Sequence, residues 1–303
     1  MKQLLVMLAL LATLVTIAPA HEPLWGEAAS TVGDRVWHPD VKFGFMSSNR
    51  LLNGTGRVAN PTGLKRSMIE QFTSIDYGVG PRLNLRMELP VHRFQQDETI
   101  GGVPVTARYT EPGDVMLGAK YRYYLRGGRG FKKQQAVSFG LMLPTGETAR
   151  RDSTGALVPA EHQPGTGSFG TMVGWQAARE TTKDSLWLSA MARNSLGTRR
   201  FRPALDVEAD ASYGRWLKFP KSIPDLGTML TVGLHAHWHG RNRVAGTLDP
   251  NSGESQFAMH STFIAQQHQY QLRLGVLIPV TQGVNGVQLA ERAQVRFGIE
   301  KFF

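Results

Sequence analysis

Three histidines at every second position, His235, His237 and His239, alternate with Leu234, Ala236 and Trp238. In an extended strand this spacing puts the imidazoles on one face and the apolar side chains on the other. A fourth histidine, His260, falls opposite His235 if the connection between the two segments closes symmetrically around 240 to 255. Facing Cβ atoms in an antiparallel pair lie about 5 Å apart, near enough for two imidazoles to share a transition metal. Same-strand neighbours are about 7 Å apart, so only adjacent pairs chelate one ion. His235, His237, His239 and His260 therefore form a candidate metal set, with a polar, hydrogen-bonded rim as the plainer alternative. The chain has no Cys, which removes disulfides, Cys-ligated zinc and thiol nucleophiles. No resident cofactor is expected.

Charged residues supply the second set. Arg82, Arg86, Glu88, Lys120, Arg122, Asp206, Glu208, Asp210, Arg292 and Arg296 lie on the polar side of segments whose other side is apolar. In a pore they would line the path and select what passes. Arg193 and Arg273, with Glu70, Asp76, Asp114 and Glu300, share that side, and a salt-bridged filling that stabilises the wall is an equal reading.

Hydrolytic chemistry is the competitor. A lipid hydrolase needs a nucleophile, a base and an orienting group. The best candidates are His239 with Ser255 or Asn242, without a His-x-Ser-Asn-Gly arrangement, so no enzyme is expected. Gly165, Gly167 and Gly170 spell G-x-G-x-x-G, but Phe169, Thr171, Val173 and Trp175 continue with a period of two. The glycines open a strand, and without a helix N-terminus there is no pyrophosphate site. A mature N-terminus of His21-Glu22-Pro23 could chelate copper through its amine and imidazole, although termini are usually mobile.

The elements that position these residues repeat one grammar. About ten residues of alternating apolar and polar character are followed by a break rich in Gly, Pro, Asn, Asp or Lys. Leu83, Leu85, Met87 and Leu89 interleave with Arg82, Asn84, Arg86 and Glu88. Leu205, Val207, Ala209, Ala211 and Tyr213 interleave with Asp206, Glu208, Asp210 and Ser212. One face suits hydrocarbon and the other suits water or counter-charge. Strands are predicted at 40–49, 66–78, 81–90, 113–125, 134–144, 166–178, 184–195, 204–217, 227–239, 256–266, 269–280 and 288–303. The fold class that follows is all-β, a transmembrane antiparallel up-and-down β-barrel of about twelve strands. A soluble barrel or sandwich is the alternative.

Residues 1–20 read as a signal peptide, from Lys2, the apolar run Leu4 to Ile17 and the small-residue site Ala18-Pro19-Ala20. The run is too short for a membrane-spanning helix, which needs roughly 20 apolar residues. Residues 21–39, with Trp25 and Trp37 and little alternation, are expected as a periplasmic segment or lumen plug, and 40–303 as the barrel. An even strand number puts both termini in the periplasm of a Gram-negative outer membrane, and the terminal Phe303 suits delivery to the barrel-assembly machinery. Outer-membrane lipids are the other expected partner. The precursor's net charge of +10 is dispersed among acids without a basic stripe, so nucleic acid is not expected.

GDVMLGAKYRYYL (113–125), SFGLMLPTGE (138–147) and GTGSFGTMVGWQAAR (165–179) together resemble the outer-membrane family named after the meta-pathway of phenol degradation. The resemblance covers about 40–303. It implies a channel or facilitator for small molecules, hydrophobic or aromatic ones among them, and transfers no site residues. A non-conducting structural or partner-binding barrel is the alternative.

Overall fold

The computed structural model describes residues 23–128, 130–220 and 225–301. The expected signal peptide, the candidate His21-Glu22 chelate and the terminal Phe303 lie outside the described residues.

Twelve strands form one closed antiparallel ring. They are β1 (Trp37–Ser48), β2 (Lys65–Gly78), β3 (Leu83–Ile100), β4 (Val115–Gly128), β5 (Phe131–Leu143), β6 (Gly170–Thr181), β7 (Asp184–Ser195), β8 (Asp206–Lys218), β9 (Gly227–His239), β10 (Glu254–Gln267), β11 (Tyr270–Ala290) and β12 (Gln294–Lys301). Each pairs with the next, and β12 pairs back onto β1 from Asp40↔Glu300 to Phe45↔Val295. Closure satisfies every ladder donor and acceptor without leaving an edge, the requirement for a sheet in hydrocarbon.

The burial pattern is inside-out. Leu274 is 55% exposed while its neighbour Arg273 is 0% exposed. Leu85, Leu117, Val173 and Val232 are exposed, and Asn84, Lys120, Gln176 and Thr231 are buried. A soluble barrel would bury its apolar face, so these outward faces contact lipid. Aromatic residues mark both borders: Trp37, whose ring lies 4.6 Å from that of Tyr77, with Tyr123, Phe131 and Tyr270 near the termini, and Phe169 and Trp238 near the opposite rim. Leu117→Arg is expected to cost about 2 to 4 kcal/mol if it lies near the bilayer midplane. Its inward neighbour tolerates polarity, so Gly118→Ser should cost under half as much, with urea unfolding of the detergent-folded protein as the readout.

Connections at the end where β1 starts and β12 finishes are the shorter ones, at 79–82, 129–130, 182–183, 219–226 and 268–269. At the opposite end they are long, including 49–64, 144–169, 196–205 and 240–253. Two predicted breaks are strands instead. The expected loop 91–112 continues β3 to Ile100, which turns back as Val103–Pro112 to form a hairpin above the ring. The expected loop 281–287 belongs to β11, which bulges and pairs with Arg50–Gly54, so β12 starts at Gln294 rather than 288. Both extensions leave the lipid zone, where a strand can be polar on both faces and loses the alternation that reveals it.

Candidate functional site

The lumen is built from every second residue of the twelve strands, and it is occupied along its axis. The segment from Leu24 to Val32 is buried apart from the partly exposed Gly26 and Glu27, and it touches inward residues on nearly every side of the ring. Its mode of attachment changes around the wall. On the β5–β10 side Ala28 and Ala29 pack into an apolar seat made by Ala136, Ala178, Trp187, Trp216, Met229 and Ile264. Toward β3, β4 and β6 the contacts are polar: Glu27 accepts from Arg86 Nη1 at 3.2 Å and Gln176 Nε2 at 3.1 Å, with Lys120 Nζ 3.9 Å away. Deeper still, Leu24 and Trp25 pack on Ala258 and Leu277. The Trp25 ring stacks 5.0 Å from His260 and lies under the Arg296 guanidinium. Gly275 makes this possible, because a Cβ there would overlap the indole.

Around the terminal-side lumen runs a belt of buried charges. Arg273 pairs with Asp40 and lies 3.4 Å from Glu300, which is 3.5 Å from His38. His38 faces Asp76 at 3.8 Å, and Asp76 accepts from Arg86 at 2.8 Å. Farther along the axis, Asp210 accepts from His260 (2.9 Å) and Ser212 (2.6 Å) and faces His235 at 3.7 Å.

The loop-side lumen holds a separate cluster. Asp206 Oδ2 lies 2.8 Å from His237 Nε2 and 3.4 Å from His239 Nδ1. Arg193 Nη1 donates to Glu208 at 2.7 Å and to Asp206 Oδ1 at 3.4 Å. Above this cluster, residues 144–169 fold across the mouth. Their short 3-10 turn, Ala160–His162, places His162 against Arg66 and on the Phe94 ring at 5.6 Å, and Asn242 Nδ2 donates to Glu161 at 3.3 Å. Burial, and then the Arg66 guanidinium, push the His162 imidazole down to about 3, so it accepts from Arg66 as a neutral ring.

Both ends of this cover are fastened at one point. Asp114 accepts from Gly146 N (2.9 Å), Thr166 N (2.8 Å) and Thr166 Oγ1 (2.7 Å). Gly146 and Gly165 pack backbone to backbone, where a Cβ on either would collide. The three phrases that carry the family resemblance, around Gly113-Asp114, Gly146 and Gly165-Thr166, thus meet in space as a loop clamp. Asp114→Ala removes charge-assisted bonds and is expected to cost the clamp about 3 kcal/mol. Faster tryptic cleavage at Arg150 or Arg151 in the folded protein is the measurement that checks it.

Arg86, Glu88, Lys120, Arg122, Asp206, Glu208, Asp210 and Arg296 lie on inward faces of the strands. Arg82 and Arg292 do not: both are exposed, in the connections 79–82 and 291–293. Alternation was extended one residue too far at Arg82, and the late start of β12 leaves Arg292 in a turn. The four histidines divide between two carboxylates. His260 pairs in register with Gly233, not His235, because β10 begins at Glu254 and the connection closes two residues earlier than a symmetric loop 240–255. Ser255 faces outward, in register with Trp238, while His239 Nε2 is 3.0 Å from Asn242, so His239 and Ser255 form no hydrolytic pair. Sequence reasoning missed Glu27, Asp40, His38, Arg66, Glu161 and His162. For Asp40 and His38 the signal was present, since both continue the inward alternation of β1.

The described fold is similar to that of an outer-membrane channel from Pseudomonas putida F1, with a TM-score of 0.68 at 14% identity, covering 95% of this chain and 100% of that one. Lower similarity is found to the transport unit of the autotransporter AIDA-I from Escherichia coli (TM-score 0.45, 9% identity, 100% and 98% covered). The translocator domain of NalP from Neisseria meningitidis is comparable (TM-score 0.43, 11% identity, 100% and 94% covered). No family model and no curated protein matches the chain. At 14% identity the first likeness establishes a shared fold, that of an outer-membrane barrel.

Proposed function

We propose that this chain is an outer-membrane channel or facilitator for small molecules, closed in its resting state by its own N-terminal segment. The observation that carries the reading is how that segment is held. Residues 23–32 fill the lumen through side-chain contacts and a few hydrogen bonds, and add no strand to the ring. A plug attached in this way can leave without opening the wall. The barrel would stand in a Gram-negative outer membrane, delivered by the barrel-assembly machinery, with both termini periplasmic and the long connections outside. The lumen charges Arg86, Glu88, Lys120, Arg122, Asp206, Glu208, Asp210 and Arg296 would then line the path.

Departure of the plug bares Trp187, Trp216, Met229 and Ile264 inside an otherwise polar lumen. An apolar strip beside a charged wall suits solutes with an aromatic or aliphatic part, in keeping with the family resemblance. The test is uptake by proteoliposomes of phenyl glucoside and of a disaccharide of similar size. The chain lacking 23–35 is expected to admit phenyl glucoside faster, and the full chain to admit both slowly. Failure of the folded, shortened chain to admit either solute would favour the alternative, a non-conducting scaffold. That alternative has its own support in the 144–169 cover, which closes the opposite mouth.

A further inference from the structure

We infer that the loop-side lumen carries a divalent transition-metal site formed by Asp206, Glu208, His237 and His239, completed by Glu254. Ligand atoms of Asp206, Glu208 and His237 all lie within 4.8 Å of one another. They come from adjacent paired strands, β8 and β9, with Glu254 on β10, so the ladder fixes their spacing. Asp206 is the centre: its Oδ2 faces both His237 Nε2 and His239 Nδ1, while its Oδ1 is turned to Arg193.

Tautomers provide an independent argument. The Ala204 backbone N–H donates to Asn242 Oδ1 at 3.0 Å, which fixes that atom as the carbonyl oxygen. His239 Nε2, 3.0 Å from the same oxygen, must therefore carry its proton. In a neutral ring, Nδ1 is then a lone pair aimed at the Asp206 carboxylate 3.4 Å away. Two acceptors in that position repel unless a second ring proton or a metal cation lies between them. A neutral His237 ring carries one proton for two carboxylates, Asp206 at Nε2 and Glu254 3.5 Å from Nδ1, so one of those two contacts is likewise acceptor against acceptor.

Charge leads to the same requirement. With both imidazoles neutral, Asp206, Glu208 and Glu254 face the guanidinium of Arg193 among the groups in these contacts, which leaves a deficit of two positive charges. One divalent ion supplies both. Two imidazoles and carboxylate oxygens suit zinc, cobalt, nickel or copper better than calcium or magnesium, which prefer all-oxygen shells. Asn242 then acts as the outer-shell carbonyl that orients a ligating histidine. The set differs from the four histidines singled out by sequence, because His235 and His260 turn to Asp210 instead.

The test is titration of the full-length protein, folded in detergent near neutral pH, with Co²⁺ and then Zn²⁺, following the visible absorption of nitrogen-ligated cobalt. One saturable equivalent displaced by Zn²⁺ is expected. His237→Ala and His239→Ala should each abolish the cobalt band, and Asn242→Leu should weaken binding roughly 10- to 100-fold. His260→Gln should leave it unchanged. Heat-modifiable migration shows that each variant is folded. Lack of a saturable site in the folded protein, or wild-type binding in His237→Ala and His239→Ala, overturns the assignment. Doubly protonated imidazoles at neutral pH in the presence of Zn²⁺, read by ¹⁵N NMR, would show that protons balance the charge and would also overturn it.

Discussion

In the Trp25→Ala protein the N-terminal segment is expected to leave the lumen for a large fraction of the time. Trp25 is 1% exposed, wedged between Leu277 and Ala258, stacked on His260 and covered by Arg296. Truncating a buried Trp to Ala costs about 3 to 5 kcal/mol, and each 1.4 kcal/mol is tenfold, so the equilibrium constant for docking falls by roughly two to four orders of magnitude. The ring of strands does not depend on this contact, because its ladder closes without the segment. The loss should therefore be local. A thiol introduced by Ser30→Cys, at a position that is buried in the docked segment, reports it. A water-soluble maleimide should modify it slowly in the parent background and at least tenfold faster with Trp25→Ala, with heat-modifiable migration unchanged. Equal labelling rates in the two folded proteins would mean that the indole does not hold the plug.

Arg273→Ala should damage the barrel itself. The guanidinium is fully buried between Asp40 and Glu300, each 1% exposed. Removing it leaves two carboxylates with little access to water, a loss of about 3 to 5 kcal/mol for a broken buried pair. The contrast is Lys65 with Asp97, 3.8 Å apart at the surface, where Lys65→Ala should cost under about 1 kcal/mol. Adding Asp40→Asn to Arg273→Ala should recover part of the loss, because one of the two buried carboxylates disappears, and only part, because Lys42 Nζ already lies 3.3 Å from Asp40. Urea unfolding in detergent is the measurement. A loss below about 1 kcal/mol in the single variant would show that water reaches the site and that the belt is not buried in solution.

The barrel was legible because its physics repeats. Lipid on one side and a polar lumen on the other impose a period of two on every strand, and each of the twelve predicted strands overlaps an observed one. Legibility failed where that constraint lapses. Beyond Pro90, β3 runs on beneath the 144–169 cover, where Phe94 packs on Ala107, Tyr109 and Val158, and His92 to Gln96 carry no alternation to read. Residues 23–35 carry none either, since each docks on a different strand: Glu27 on β3, β4 and β6, and Trp25 on β10 and β11. Their apolar seat broke the expected pattern as well. Trp187, Met229 and Ile264 point inward, where a channel wall reads as polar, and only the presence of Ala28 and Ala29 explains them. In the histidine set the face was right and the register was wrong. Side-chain direction depends on parity alone, whereas pairing depends on the residue at which the 240–253 connection ends.

The central claim, a pore closed by its own N-terminal segment, is tested most directly by single-channel recording in planar bilayers. The full chain and the chain lacking residues 23–35 are inserted separately. The account predicts little or no steady conductance from the full chain, with brief openings, and a stable, larger conductance from the shortened one. Identical traces from the two folded proteins, whether silent or open, would contradict it.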